Sequence, residues 1–158
     1  MSLSNRHLIL RYSNHKDLLA QAGPLLQAAA KQQRPGIVVI PESETHLWLE
    51  HMNAHDLLSE GSSVRLLVYP MNMRGWAWGV RAAYVATQRA LQDRLEGGSR
   101  EVLVIVRLPD VLWLIGEKQG MEDVEKILSD IATIGTVVCA YKNEMTVPAE
   151  IASMHQPA

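Results

Sequence analysis

Two carboxylates, Glu42 and Glu44, flank Ser43 directly after the apolar run 36–40 and Pro41. In doubly wound sheets ligands gather outside the carboxyl ends of strands, so a carboxylate pair at such an exit stands where a general base works. With a divalent metal, the pair would suit an enzyme or a divergent nucleotide-binding protein. Ser43-Glu44 also reads as the start and cap of the next helix, and we prefer that reading. No glycine-rich loop and no Lys-Ser/Thr pair accompanies the carboxylates to hold phosphates and magnesium. A few residues on, His51 and His55 are four apart, the spacing at which two imidazoles on one helical face share a divalent ion. Glu50 and His46 fall off that face, and the residues between the two histidines are Met52, Asn53 and Ala54, with no catalytic glutamate among them. We therefore expect no metal and no cofactor, with His51 and His55 as the candidate ligand pair.

A third grouping is the stretch Tyr69-Pro70-Met71-Asn72-Met73-Arg74-Gly75-Trp76-Ala77-Trp78-Gly79. The chain has four Trp, seven Met and no Phe, and two of each of the former fall here. Aromatics and adaptable methionines wall small-molecule pockets, with Arg74 and Asn72 placed to orient a polar group. The competing account is structural: Trp76 and Trp78 anchor a long helix, and Met71 and Met73 fill core gaps. Cys139, the single cysteine, lies in an apolar run and reads as a small buried hydrophobe. No Gly-x-Ser-x-Gly elbow offers a hydrolase nucleophile.

The elements that must position these groups are legible from apolar periodicity. Five short β-branched runs, 7–12, 36–40, 64–69, 102–106 and 136–141, are almost unbroken in apolarity, as strands buried on both faces are. Helical patterns fill the intervals at 16–33, 45–59, 76–95 and 121–134. In the third, Trp76, Val80, Ala83, Tyr84, Ala90, Leu91 and Leu95 form a single stripe. Strands alternating with helices make βαβ units, so the fold expected is α/β: a three-layer open sheet, mainly parallel and five-stranded, with helices on both faces. Stops lie at Arg34-Pro35-Gly36, at Gly97-Gly98-Ser99 and at Gly135, where glycine supplies left-handed or helix-incompatible backbone. The first strand runs into Ser13-Asn14-His15-Lys16-Asp17 with no glycine before Gly23. The phosphate-cradling loop that a nucleotide-binding α/β protein carries at this turn is missing.

A chain of 158 residues with a formal charge of −2 fits one domain, residues 1–158, able to bury its own core. Its fifteen Lys and Arg are scattered singly, which excludes the basic stripe of a nucleic-acid binder. One cysteine excludes an internal disulfide framework, and no apolar run approaches the roughly 20 residues of a membrane span. We expect a cytoplasmic location, with no nucleic-acid or membrane partner.

His7-Leu8-Ile9-Leu10-Arg11-Tyr12, Gly116-Glu117, Val138-Cys139-Ala140-Tyr141 and a C-terminal helix followed by His155 and Pro157 occur in that order along nearly the whole chain. In this the chain resembles the MEDS sensory domains, named from methanogen and methylotroph regulators and typified by the dichloromethane-responsive transcriptional regulator. The resemblance implies a RecA-like or KaiC-like domain that has lost its nucleotide-hydrolysing loop and serves as a signal-input module. By position, His7, Tyr12, Glu117, Cys139 and Tyr141 would be motif residues, with Glu117 free to pair with a ligand or with Arg74 or Arg107.

The expectation is thus a noncatalytic sensory or regulatory domain with Arg74, Trp76, Trp78, Glu117 and Tyr141 around a ligand. Its partner would be a small molecule or a regulatory protein. The alternatives are a metal-dependent or nucleotide-binding protein using Glu42 and Glu44, and a homodimerising interaction module.

Overall fold

A computed structural model describes residues 6–69, 102–114, 116, 118–133 and 135–156. All five apolar runs are strands: β1 (Arg6–Tyr12), β2 (Gly36–Pro41), β3 (Val64–Tyr69), β4 (Val102–Val106) and β5 (Gly135–Lys142). They form one sheet in the order β1-β5-β4-β2-β3, and every pairing is parallel. The central strands β2, β4 and β5 are buried almost end to end, which is why they read as unbroken apolar runs.

Helices cover both faces. On one side α1 (His15–Lys31) and α2 (Thr45–Ala54) pack Leu18, Ala22, Leu26, Trp48 and Met52 onto Leu10, Val38, Ile105 and Val138. On the other, α3 (Pro109–Leu114), α4 (Lys118–Ile131) and the short α5 (Ala149–Ala152) pack Leu112, Val124, Leu128 and Ile151 onto Val39, Val104, Val137 and Cys139. The chain therefore leaves β2 toward one face and the neighbouring β4 toward the other, which opens a crevice at the carboxyl ends of these two strands.

Several boundaries differ from the sequence reading for local reasons. The second helix stops at Ala54 rather than 59, because Asp56 turns left-handed at φ 54° and Leu57 N–H donates back to the Met52 carbonyl at 2.8 Å. The first helix is closed by Gln33, at φ 56°, not by a glycine. Gly135 is extended, not left-handed; a Cβ there would lie 2.5 Å from the Val102 carbonyl oxygen, so it admits β4 alongside. Helix α3 was not anticipated: Pro109 and Asp110 begin it, as proline does at a first helical position. The fourth helical pattern, expected at 121–134, is displaced to Lys118–Ile131. The pattern at 76–95 and the stop at 97–99 lie outside the described residues.

Candidate functional site

The turn after β1 shows what stands where a phosphate loop would be. Asn14 caps α1, its side-chain oxygen accepting from Asp17 N–H at 2.8 Å. The Asp17 carboxylate reaches back to accept from Ser13 N–H at 2.8 Å and from Gln21 Nε2 at 3.1 Å. Those contacts, the Ser13 amide first, hold its carboxyl below the usual aspartate range. One amide of the helix N-terminus is thus engaged by the Asn14 cap, and the Asp17 carboxylate lies against the Ser13 amide just before it.

The crevice between β2 and β4 is closed in a similar way. Arg107, directly after β4 and 3% exposed, directs Nε at Glu44 Oε1 (3.1 Å), Nη2 at Glu44 Oε2 and Nη1 at Asp110 Oδ2. Tyr12 donates to the same Asp110 oxygen at 3.1 Å, and its ring centroid lies 5.2 Å from the guanidinium carbon. Trp48 donates its indole N–H to Glu44 at 3.1 Å, and His15 Nε2 lies 3.5 Å from that carboxylate. Burial pushes the Asp110 carboxyl up against the pull of Arg107. Burial and then Asp110 push the Tyr12 phenol up. Burial opposes the charge on Arg107, but Asp110 and Glu44 overcome it and hold the guanidinium protonated. Glu44 is therefore neither a helix-capping side chain nor a free base: it occupies the N-cap position of α2 without a side-chain capping bond, paired instead to Arg107. Glu42 is exposed, and its carbonyl accepts from the Thr45 hydroxyl.

A second polar cluster lies inside the opposite helix layer. His7 of β1 and Cys139 and Tyr141 of β5 share a sheet face, since Ile9 is the register partner of Cys139 and Arg11 that of Tyr141. Glu125 and Ser129, one turn apart on α4, face them, and His155 arrives from beyond α5. Glu125 sits in the buried stripe Met121, Val124, Leu128. Its Oε1 accepts from the Cys139 thiol at 3.1 Å and lies 3.5 Å from His7 Nε2; its Oε2 accepts from Tyr141 at 3.0 Å and lies 2.8 Å from His155 Nε2. His7 Nε2 lies 3.3 Å from Cys139 Sγ, and the two imidazole centroids are 3.8 Å apart. Burial alone would raise the Glu125 carboxyl, but the imidazoles of His155 and His7 outweigh it and hold its pKa down to about 2. Burial, with Glu125 alongside, pushes both the Cys139 thiol and the Tyr141 phenol up.

Of the residues singled out from the sequence, Tyr141, Cys139, His7 and His155 converge on this cluster. Tyr141 is fully buried, with its hydroxyl engaged by Glu125. Arg74, Trp76, Trp78 and Glu117 lie outside the described residues. His51 and His55 do sit side by side, centroids 4.6 Å apart. His51 packs against α1, where a Cβ on Gly23 would come within 2.7 Å of its Nε2. Burial and then His55 lower its pKa. Among the described residues, only His7, Glu125, Cys139 and His155 bring three or more metal-ligating atoms together. Sequence reasoning missed Glu125, whose signal was a carboxylate within an apolar helical stripe. It also missed the Arg107–Asp110 pair.

No family model matches the sequence, and no curated protein matches it. Among solved structures, the chain is similar to a KaiC-like protein from the hyperthermophilic archaeon Pyrococcus horikoshii OT3, with a TM-score of 0.63 and 10% identity. The match covers 96% of this chain and 70% of that one. The likeness is one of fold: the chain is an α/β protein of RecA/KaiC-like architecture. Among the described residues no helix is long and apolar enough to cross a membrane.

Proposed function

We propose that this chain is a noncatalytic signal-input module of the MEDS type, built on a RecA/KaiC-like frame and placed in a regulatory system of the cytoplasm. One observation carries the reading: the strand-exit crevice is occupied by the chain's own ion pairs, Glu44–Arg107–Asp110 with Tyr12 and Trp48. A nucleotide there would have to displace buried, mutually neutralising charges, and uncovering either carboxylate costs several kcal/mol (about 3–5). The turn after β1 supports the same reading, because Asn14 and Asp17 already engage amides of that turn. An enzyme using Glu44 as base would need that carboxylate released from Arg107.

A signal would act by binding one of two conformations or assemblies better than the other, since a ligand shifts an equilibrium only through differential affinity. Small organic molecules, held near Arg74, Trp76, Trp78 and Glu117, are the proposed signal, with a regulatory protein as the downstream partner. A thermal-shift screen against Mg-nucleotides and small organic metabolites tests this, because a ligand specific for the native state raises its apparent stability. The expected result is a shift with an organic compound that disappears in Trp76→Ala, and none with Mg-ATP or Mg-GTP. Stabilisation by Mg-nucleotide, or turnover lost in Glu42→Gln, would overturn it.

A further inference from the structure

We propose that His7, Glu125, Cys139 and His155 form a four-ligand site for one zinc-class divalent ion, joining β1, β5, α4 and the segment after α5. Their donor atoms already lie within 4.8 Å of one another. Tetrahedral ligands at zinc bond lengths stand about 3.5 Å apart, so closure needs only small side-chain adjustments.

The decisive detail is at His155. Its Nδ1–H donates to the Ile151 carbonyl at 2.8 Å, which holds Nδ1 outward and turns Nε2 into the cluster. That Nε2 sits 2.8 Å from a carboxylate oxygen yet has no hydrogen-bond partner, on a side chain only 2% exposed. A buried Nε2 against a carboxylate takes either a proton or a metal ion between them, and Cys139 Sγ and His7 Nε2 alongside complete a ligand set for the ion. His7 is arranged the same way: its Nδ1 meets the Ser129 hydroxyl at 3.1 Å, and its Nε2 turns toward Cys139 and Glu125. Outward Nδ1 atoms held by oxygen partners and inward Nε2 atoms converging on one point are how metal-bound histidines are oriented.

The chemistry of the donors selects the ion. Two imidazoles, one thiolate and one carboxylate form a mixed nitrogen, sulfur and oxygen set, which suits Zn²⁺ and is wrong for calcium or magnesium. When the ion binds, the Cys139 S–H proton leaves to solvent and an S–Zn bond forms in its place. The thiolate and the Glu125 carboxylate then balance the +2 charge, and the buried site becomes neutral. Four protein ligands leave no open position, so such an ion would be structural or regulatory rather than catalytic.

Its consequence is mechanical. Gln156 N–H donates to the His7 carbonyl at 2.7 Å, so the segment after α5 lies along the outer edge of β1. A metal on His155 and His7 would fasten that segment to the strand. This inference stands apart from the proposed function, and loss of nucleotide or organic binding leaves it untouched.

The test uses the chain after reduction and treatment with a chelator. Zn²⁺ is titrated by calorimetry, and Co²⁺ separately by visible absorption. The expected result is one equivalent of either ion, with Co²⁺ giving tetrahedral d–d bands and a thiolate-to-metal charge-transfer band. Because the chain has one cysteine, that band reports Cys139 directly, whatever the folding of any variant. Cys139→Ser should abolish the band. Ser129→Ala should weaken binding by about 10- to 100-fold, as loss of a ligand-orienting partner does. His51→Gln/His55→Gln should change nothing. Hydrogen exchange at 149–156 should slow when Zn²⁺ is added. No bound equivalent, no charge-transfer band in the wild-type chain, or binding lost in the His51/His55 variant would each overturn the proposal.

Discussion

Two buried carboxylate centres lie on opposite sides of the central sheet's logic: Glu44 and Asp110 at the strand exits, and Glu125 beneath α4. Both are withdrawn from water, and both meet a tyrosine of the sheet, Tyr12 for Asp110 and Tyr141 for Glu125. They differ in what opposes the negative charge. At the exits it is Arg107, a cation at every accessible pH with a planar fork that fits carboxylates. Beneath α4 it is a pair of imidazoles and a thiol, groups that also accept a metal. The first centre is a permanent closure; the second is one whose counter-charge can be exchanged.

The largest effect expected from breaking this contrast is at Arg107. Replacing it with methionine leaves two buried carboxylates facing each other and should cost about 3–5 kcal/mol in urea unfolding, with added Zn²⁺ making no difference. Partial recovery in Arg107→Met/Glu44→Gln would locate the cost in the unpaired charge, whereas no recovery would show that Arg107 acts mainly through packing. Next is the metal response. Zn²⁺ at a hundredfold excess over its Kd should stabilise the wild type by about 2.7 kcal/mol. That gain should vanish in His155→Ala and survive in Glu44→Gln, read as shifts in thermal midpoint. A gain that tracks Glu44 instead would reverse the assignment of the two centres.

The tyrosines sharpen the comparison further. A hydrogen bond to a charged group is worth about 1.5–3 kcal/mol, so Tyr12→Phe and Tyr141→Phe should destabilise the metal-free chain by comparable amounts. Only Tyr141→Phe should also change Co²⁺ absorption. The smallest effect belongs to the exposed turn that precedes the closed crevice. Asn14→Ala should cost about 1 kcal/mol of stability through loss of the helix cap. Asp17 has a folded pKa below its ordinary 3.8, so the stability it adds is present above that pH and lost as pH falls through the folded value. Asp17→Asn should accordingly narrow the difference in urea midpoint between pH 7 and pH 3. An unchanged difference would mean that the Ser13 contact contributes nothing.

Strands and helices were readable because each is a local matter. The runs 36–40 and 102–106 are apolar at every position, and such a segment is stable only between two covering layers. That the turn after β1 has no glycine before Gly23 was readable too, since it concerns one short stretch. Helix α3 was hidden because Pro109 and Asp110 look like punctuation until Asp110 is seen to be bound by Arg107 and Tyr12. The histidine pair at 51 and 55 drew notice through its spacing in the chain, while the four ligating groups that do converge are spread over nearly the whole chain, from His7 to His155.

What the sequence determined by itself was a parallel α/β sheet, because periodicity and turn composition act over a few residues. Only the tertiary structure decided which charged groups meet. Strand order sets His7 beside Cys139 and carries Glu44 to Arg107, and that order follows from burying two helix layers on one sheet, a constraint no local stretch of sequence contains.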